Sequence, residues 1–171
     1  DRNFVTPLGI TLLWPVTSPP LRNGDGVLLD ETIPNSTTAT GRLRNILNAG
    51  RVNSVVWMLD PDLLDLADKA SKGYFVQSSK GNVNGIYVNE IATWFNELRT
   101  SVAAKERWSM TYANADLASM QQNKAKSAFE QSVTIARVTT EQKLGFTTGG
   151  TFLFQDKFPV SETVIGLANS L

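Results

Sequence analysis

Acids, aromatics and hydroxyls recur in this chain wherever an apolar run stops. "ITLL" runs into Trp14-Pro15-Val16-Thr17, and "VVWML" into Asp60-Pro61-Asp62. "RWSM" runs into Thr111-Tyr112-Ala113-Asn114-Ala115-Asp116, and "GTFLF" into Gln155-Asp156-Lys157. If each run is a strand of a parallel sheet, these residues collect at one rim, outside the carboxyl ends of the strands, where α/β proteins bind ligands. Carboxylates there can bond sugar hydroxyls or act as acid and base, and an indole face can stack on a sugar ring. Trp14, Thr17, Asp60, Asp62, Tyr112, Asn114, Asp116 and Asp156 are therefore the candidate binding residues, for a carbohydrate. Each also has a plain structural reading. Asp60-Pro61 is what an ordinary helix start looks like, Asn114 could cap a helix with Asp116 in its first turn, and Trp14 could close the core over the strand end.

Catalytic machinery is otherwise missing. The chain has neither histidine nor cysteine, which removes the commonest general base, the commonest metal ligands and any disulfide. No catalytic residue, metal site or cofactor is expected. "PVTSPPL" after the first run lacks the glycines of a dinucleotide or phosphate loop, and G-x-S-x-G does not occur. Asp25 and Asp30 suggest a calcium loop by composition only, since D-x-D-x-D-G is not met, and Asn35-Ser36-Thr37 matches a glycosylation acceptor. Lys plus Arg equals Asp plus Glu, and the densest basic stretch is the scattered Arg42, Arg44 and Arg51, so a nucleic acid partner is not expected.

The elements that must position the rim follow from periodicity. Residues 8–17 read as a strand, followed by a long connection from Ser18 to about Thr38 with the turn signal Asn23-Gly24-Asp25-Gly26, in which "GVLLDETI" suggests a hairpin arm or edge strand. A helix over 39–49 ends at Gly50 as its C′ residue. A strand over 52–59 leads into a helix with Leu63, Leu66, Ala67 and Ala70 on one side. Residues 71–85 form a loop in which Tyr74-Phe75-Val76 is a short buried strand, and a helix over 89–105 carries Ile91, Trp94 or Phe95, Leu98 and Val102 as its apolar stripe. A third strand over 107–113, a short helix, a long helix over 125–144 bearing Phe129, Val133, Ala136 and Leu144, a fourth strand over 150–155 and a last helix over 161–171 complete the chain. Strands alternating with helices over crossovers too long for hairpins predict an α/β fold of parallel βα units in one domain. The expected form is a partial or degenerate TIM-like barrel, since 171 residues are short of the ~250 of a full one. The alternative is an open three-layer α/β sandwich.

The order of these signatures resembles a family of large actinobacterial envelope proteins with no established activity. The likeness spans about residues 8–125 and rests most on Trp14-Pro15-Val16-Thr17 and Asp60-Pro61-Asp62-Leu63-Leu64. Its members typically have a signal peptide, an extracytoplasmic body and a membrane anchor, and are often encoded beside the lipid II flippase. At the third strand relatives usually show Pro-Tyr-x-Asp-x-Asp, where this chain has Thr111 and Asn114 in place of the proline and one acid. The pattern is also distantly similar to polysaccharide deacetylase and related glycoside hydrolase barrels, whose usual ligand set of Asp with two His this chain lacks. The resemblance implies a non-catalytic extracytoplasmic domain, binding a cell-wall glycan or an envelope protein. Membrane contact is expected only through regions outside this chain: Asp1-Arg2-Asn3 does not begin a signal peptide, and no apolar run approaches the ~20 residues of a span. The last helix, still in register at Leu171, suggests a piece of a longer protein. The alternatives are a metal-independent glycoside hydrolase using Asp60 or Asp62 with Asp116 or Asp156, and a structural spacer.

Overall fold

Four short parallel strands and the helices between them make up the fold in a computed structural model, which describes residues 9–152. The strands are β1 (Leu12–Val16), β2 (Val55–Leu59), β5 (Arg107–Met110) and β6 (Thr151–Phe152), hydrogen-bonded in the order β1-β2-β5-β6. Between β1 and β2 lie α1 (Thr32–Asn35) and α2 (Arg42–Val52). Between β2 and β5 lie α3 (Pro61–Ala70), the two-stranded antiparallel sheet β3 (Phe75–Val76) and β4 (Val83–Asn84), and α4 (Val88–Ala103). Between β5 and β6 come a 3-10 turn (Tyr112–Asn114), α5 (Leu117–Gln122) and α6 (Lys126–Leu144).

The α/β class and the parallel pairing are thus as expected, whereas closure is not. Among the described residues the sheet is open, with β1 and β6 at its edges. Its order runs without reversal, and right-handed crossovers that always step the same way put their helices on one face. A three-layer sandwich needs helices on both. The expected end of the fourth strand, with Gln155, Asp156 and Lys157, and the last helix over 161–171 lie outside the described residues.

Register identifies the helix-covered face. Trp14 pairs with Trp57, and Val16 with Leu59, so each pair shares a face. The rings of Trp14 and Trp57 both abut Gly50 of α2, where an added Cβ would come within 2.4 Å of Trp57 and 2.9 Å of Trp14. Gly50 is consequently not the C′ residue that its position suggested. It lies inside the last turns of α2 because only a bare Cα lets that helix sit against two indoles. Trp57, Leu59, Leu43, Leu47, Leu63, Ile91, Trp94 and Leu98 are all buried in one core. The stripe expected on α4 is buried in full, Trp94 and Phe95 alike. Tyr74-Phe75-Val76 does contain a short strand, β3, which pairs with β4, but it departs from expectation in burial, since Val76 is buried and Phe75 is exposed.

Pro15 in the middle of β1 has a geometric reason. In a parallel ladder one residue points both its N–H and its C=O to the same side, and the sides alternate. Asp60 N–H donates to the Val16 carbonyl at 3.1 Å, so Val16, Trp14 and Leu12 face β2. Leu13 and Pro15 face the open edge, where a missing N–H costs no ladder bond.

Candidate functional site

The carboxyl end of the sheet is held together by one acid. Asp60 caps α3, its Oδ1 accepting from Asp62 N–H at 3.0 Å, with Pro61 as the first helical residue. Its Oδ2 accepts from Thr17 Oγ at 3.0 Å, and Ser18 N–H adds a further bond, so the loop leaving β1 is fastened to the start of α3. Asp60 is 1% exposed. Burial pushes its carboxyl up to about 6 against the bonds from Asp62, Thr17 and Ser18, with the nearby Asp62 charge adding to the rise. An acid with such a value could hold or release a proton near neutrality. Both of its oxygens, however, are occupied and away from solvent.

Asp62 and Asp65 stand on the next turns of α3 and share Arg22, a residue of the long connection that sequence reasoning missed. Arg22 Nη2 donates to Asp62 Oδ1 and, at 2.9 Å, to Tyr112 Oη, and its Nη1 donates to Asp65 Oδ2 at 3.0 Å. Burial pushes Asp65 up, yet the bonds from Lys69, Arg22 and Lys143 outweigh it and hold the carboxyl below the usual range. Lys143 of α6 and Lys72 likewise lower Asp68. The network ties the β1 loop, α3, the 3-10 turn and α6 to one another. Two signals could have found Arg22. It is the only basic residue between Arg2 and Arg42, and Asp62, Asp65 and Asp68 recur every third residue along α3, an acidic stripe that calls for cations.

What remains open at the rim is a cleft of about 420 Å³, with Thr17, Ser18, Pro19, Arg42 and Asn114 in its wall. Arg42, the first residue of α2, donates to the Thr17 carbonyl at 2.8 Å and so fixes one side. On the other side Ala113 and Asn114 have φ of +53° and +50°, two consecutive non-glycine residues in the left-handed region. Such backbone costs on the order of 1 kcal/mol or more per residue and persists where the surroundings impose it, often at binding sites. The Oδ1 of Asn114 is buried and has no hydrogen-bond partner among the described residues. A second depression, of about 580 Å³ and more apolar, opens beyond Tyr112 and Ala113 toward Met120 and Ile135.

The candidates therefore part company. Thr17, Asp60, Asp62 and Tyr112 come together at the rim, and Asn114 lines the cleft beside Thr17. Trp14 does not reach it. Its indole N–H donates to the Ile46 carbonyl of α2 at 3.0 Å, which turns the ring into the helix layer because its strand position faces that way. Asp116 rather than Asn114 opens α5, accepting from Ser119 N–H at 3.2 Å and from Ser119 Oγ at 2.7 Å. The Asp25 turn is organised by Asn23, whose Oδ1 accepts from the N–H groups of Asp25 and Val27, each at 3.0 Å, and Asp30 accepts from Thr32 N–H at 2.8 Å. Among the described residues no three acids are grouped as a metal site would require, and no helix is long and apolar enough to cross a membrane. No family model and no curated protein matches the chain.

Proposed function

We propose that the chain is a non-catalytic, extracytoplasmic domain of a cell-envelope protein that binds wall glycan in the cleft between Thr17 and Asn114. The observation that carries this reading is the strained Ala113-Asn114 turn, which closes one wall of a polar cleft opposite Thr17, Ser18 and Arg42. A cleft walled by hydroxyls, a guanidinium and an amide residue suits a polyhydroxylated ligand, which offers donors and acceptors in alternation. The acids argue for binding over hydrolysis. Asp60 is sealed beneath the loop, and Asp62 and Asp65 are held in ion pairs, both with Arg22 and Asp65 also with Lys69 and Lys143. The envelope setting rests on the family resemblance of the strand-end motifs. The one-directional strand order is read as the winding of a degenerate barrel.

Co-sedimentation with isolated peptidoglycan, and calorimetry with soluble wall glycans, test the proposal. Asn114→Gly removes the amide while relaxing the left-handed backbone, so the fold is kept. Binding should be saturable in the wild type and weaken about tenfold or more in this variant, the loss expected when a polar side chain of the cleft wall and the turn that sets it are both removed. Trp14→Phe should bind as the wild type does. Absence of binding to every wall fraction, or equal binding by Asn114→Gly, overturns the reading.

A further inference from the structure

Among the described residues, the outer edge of β1 is protected along half its length and unpaired along the other half. On the side away from β2, Pro15 offers no N–H, and the Thr17 carbonyl is occupied by Arg42 at 2.8 Å, two devices by which proteins blunt an exposed strand edge. Toward the start of the strand neither device is present. Leu13 points its N–H and C=O outward, and Thr11 continues the alternation one step earlier. No turn or loop bond among the described residues engages either of them. Around this window Ile10, Leu12 and Leu13 are 74%, 50% and 48% exposed.

We propose that this window pairs with a second copy of the chain, the two β1 strands running antiparallel about a two-fold axis at Leu12. The window is complementary to itself. About that axis Thr11 lies opposite Leu13 of the other copy, and each such pair can exchange both backbone bonds, N–H to C=O and C=O to N–H. Leu12 then meets its own counterpart in the non-hydrogen-bonded position, where side chains approach most closely. Pro15 ends the ladder because it has no donor for the residue opposite, which limits the pairing to a defined register and prevents slippage. Charge favours self-association. Gly9 to Pro20 carries no charged residue and the chain is formally neutral, so nothing in the window repels an identical strand.

Sedimentation velocity over a dilution series tests this. The wild type should sediment as a dimer that dissociates on dilution from about 100 µM. Leu13→Pro removes the outward donor at a position where, as at Pro15, no bond to β2 is lost, and should leave a monomer. Leu12→Lys brings two ammonium groups together at the axis and should weaken the dimer at least tenfold without touching the backbone. Val52→Lys, at an apolar residue 83% exposed elsewhere, should not alter the dimer. Circular dichroism of each variant keeps loss of fold apart from loss of pairing. A wild type that stays monomeric overturns the proposal. So does a dimer that survives both edge substitutions, or one abolished equally by Val52→Lys.

Discussion

Asp60 makes the energetics of the rim measurable. Its carboxyl rises from 3.8 unfolded to about 6 folded, mainly through burial, so between those values the native state binds the proton that the unfolded chain releases. Stability from this group is complete below about pH 4 and is lost as pH climbs to about 6, a fall of roughly 3 kcal/mol at 1.4 kcal/mol per unit. Urea unfolding followed by tryptophan fluorescence should show that fall, and Asp60→Asn, which keeps an oxygen for Asp62 N–H, should flatten it. Asp65 and Asp68, lowered by their lysine and arginine partners, act in the opposite direction and only at more acidic pH. Arg22→Ala leaves Asp62 without its cation and should cost about 2–3 kcal/mol in the same measurement, below the full price of a buried broken pair because Arg22 is partly exposed and Lys69 and Lys143 remain on Asp65. Of these residues Asp60 was legible, because an Asp-Pro after an apolar run states its role locally. Arg22 carried only the indirect signals of its isolation and of the acidic stripe, since its partners lie 40 and 43 residues away.

At the scale of elements, the helices were readable wherever their apolar stripe is buried. Ile91, Trp94, Leu98 and Val102 of α4 repeat with helical spacing, and all four are in the core. Boundaries failed where a tertiary contact overrides a local signal. Gly50 has the type of a helix stop, but two indoles require it inside the last turns of α2, and no local pattern announces that. Gly50→Ala should therefore destabilise the fold by about 1–3 kcal/mol, the usual cost of overpacking, although alanine is the better helix former. Its unfolding midpoint in urea against that of the wild type gives the sign. Trp14 was open to two readings for a related reason, because a strand gives each residue one of two faces and only the pairing with Trp57 decides which.

For the whole molecule, the parallel α/β class was legible from alternating patterns, whereas the winding was not, because crossover length says nothing about which side of a strand the next one joins. The observed core runs without a break from Val16 through α2, α3 and α4 to Leu144 of α6. A continuous core should unfold as one unit, so thermal transitions followed by far-UV circular dichroism and by tryptophan fluorescence should coincide. Separate midpoints would show that the β1–α2 half opens alone. Outside that core one clasp joins distant loops: Glu31 accepts from Tyr74 Oη and from Ile86 N–H at 3.1 Å, and Tyr87 N–H donates to Tyr74 Oη at 3.1 Å. Ile86 is 72% exposed, yet its backbone proton is tied to a side chain 55 residues away. In deuterated water it should be retained far longer than its surface position suggests, and Glu31→Gln, with an uncharged acceptor, should release it sooner. The slowest amides of this molecule will not all map its interior, and a swap rate read as burial would draw the core too large at that loop.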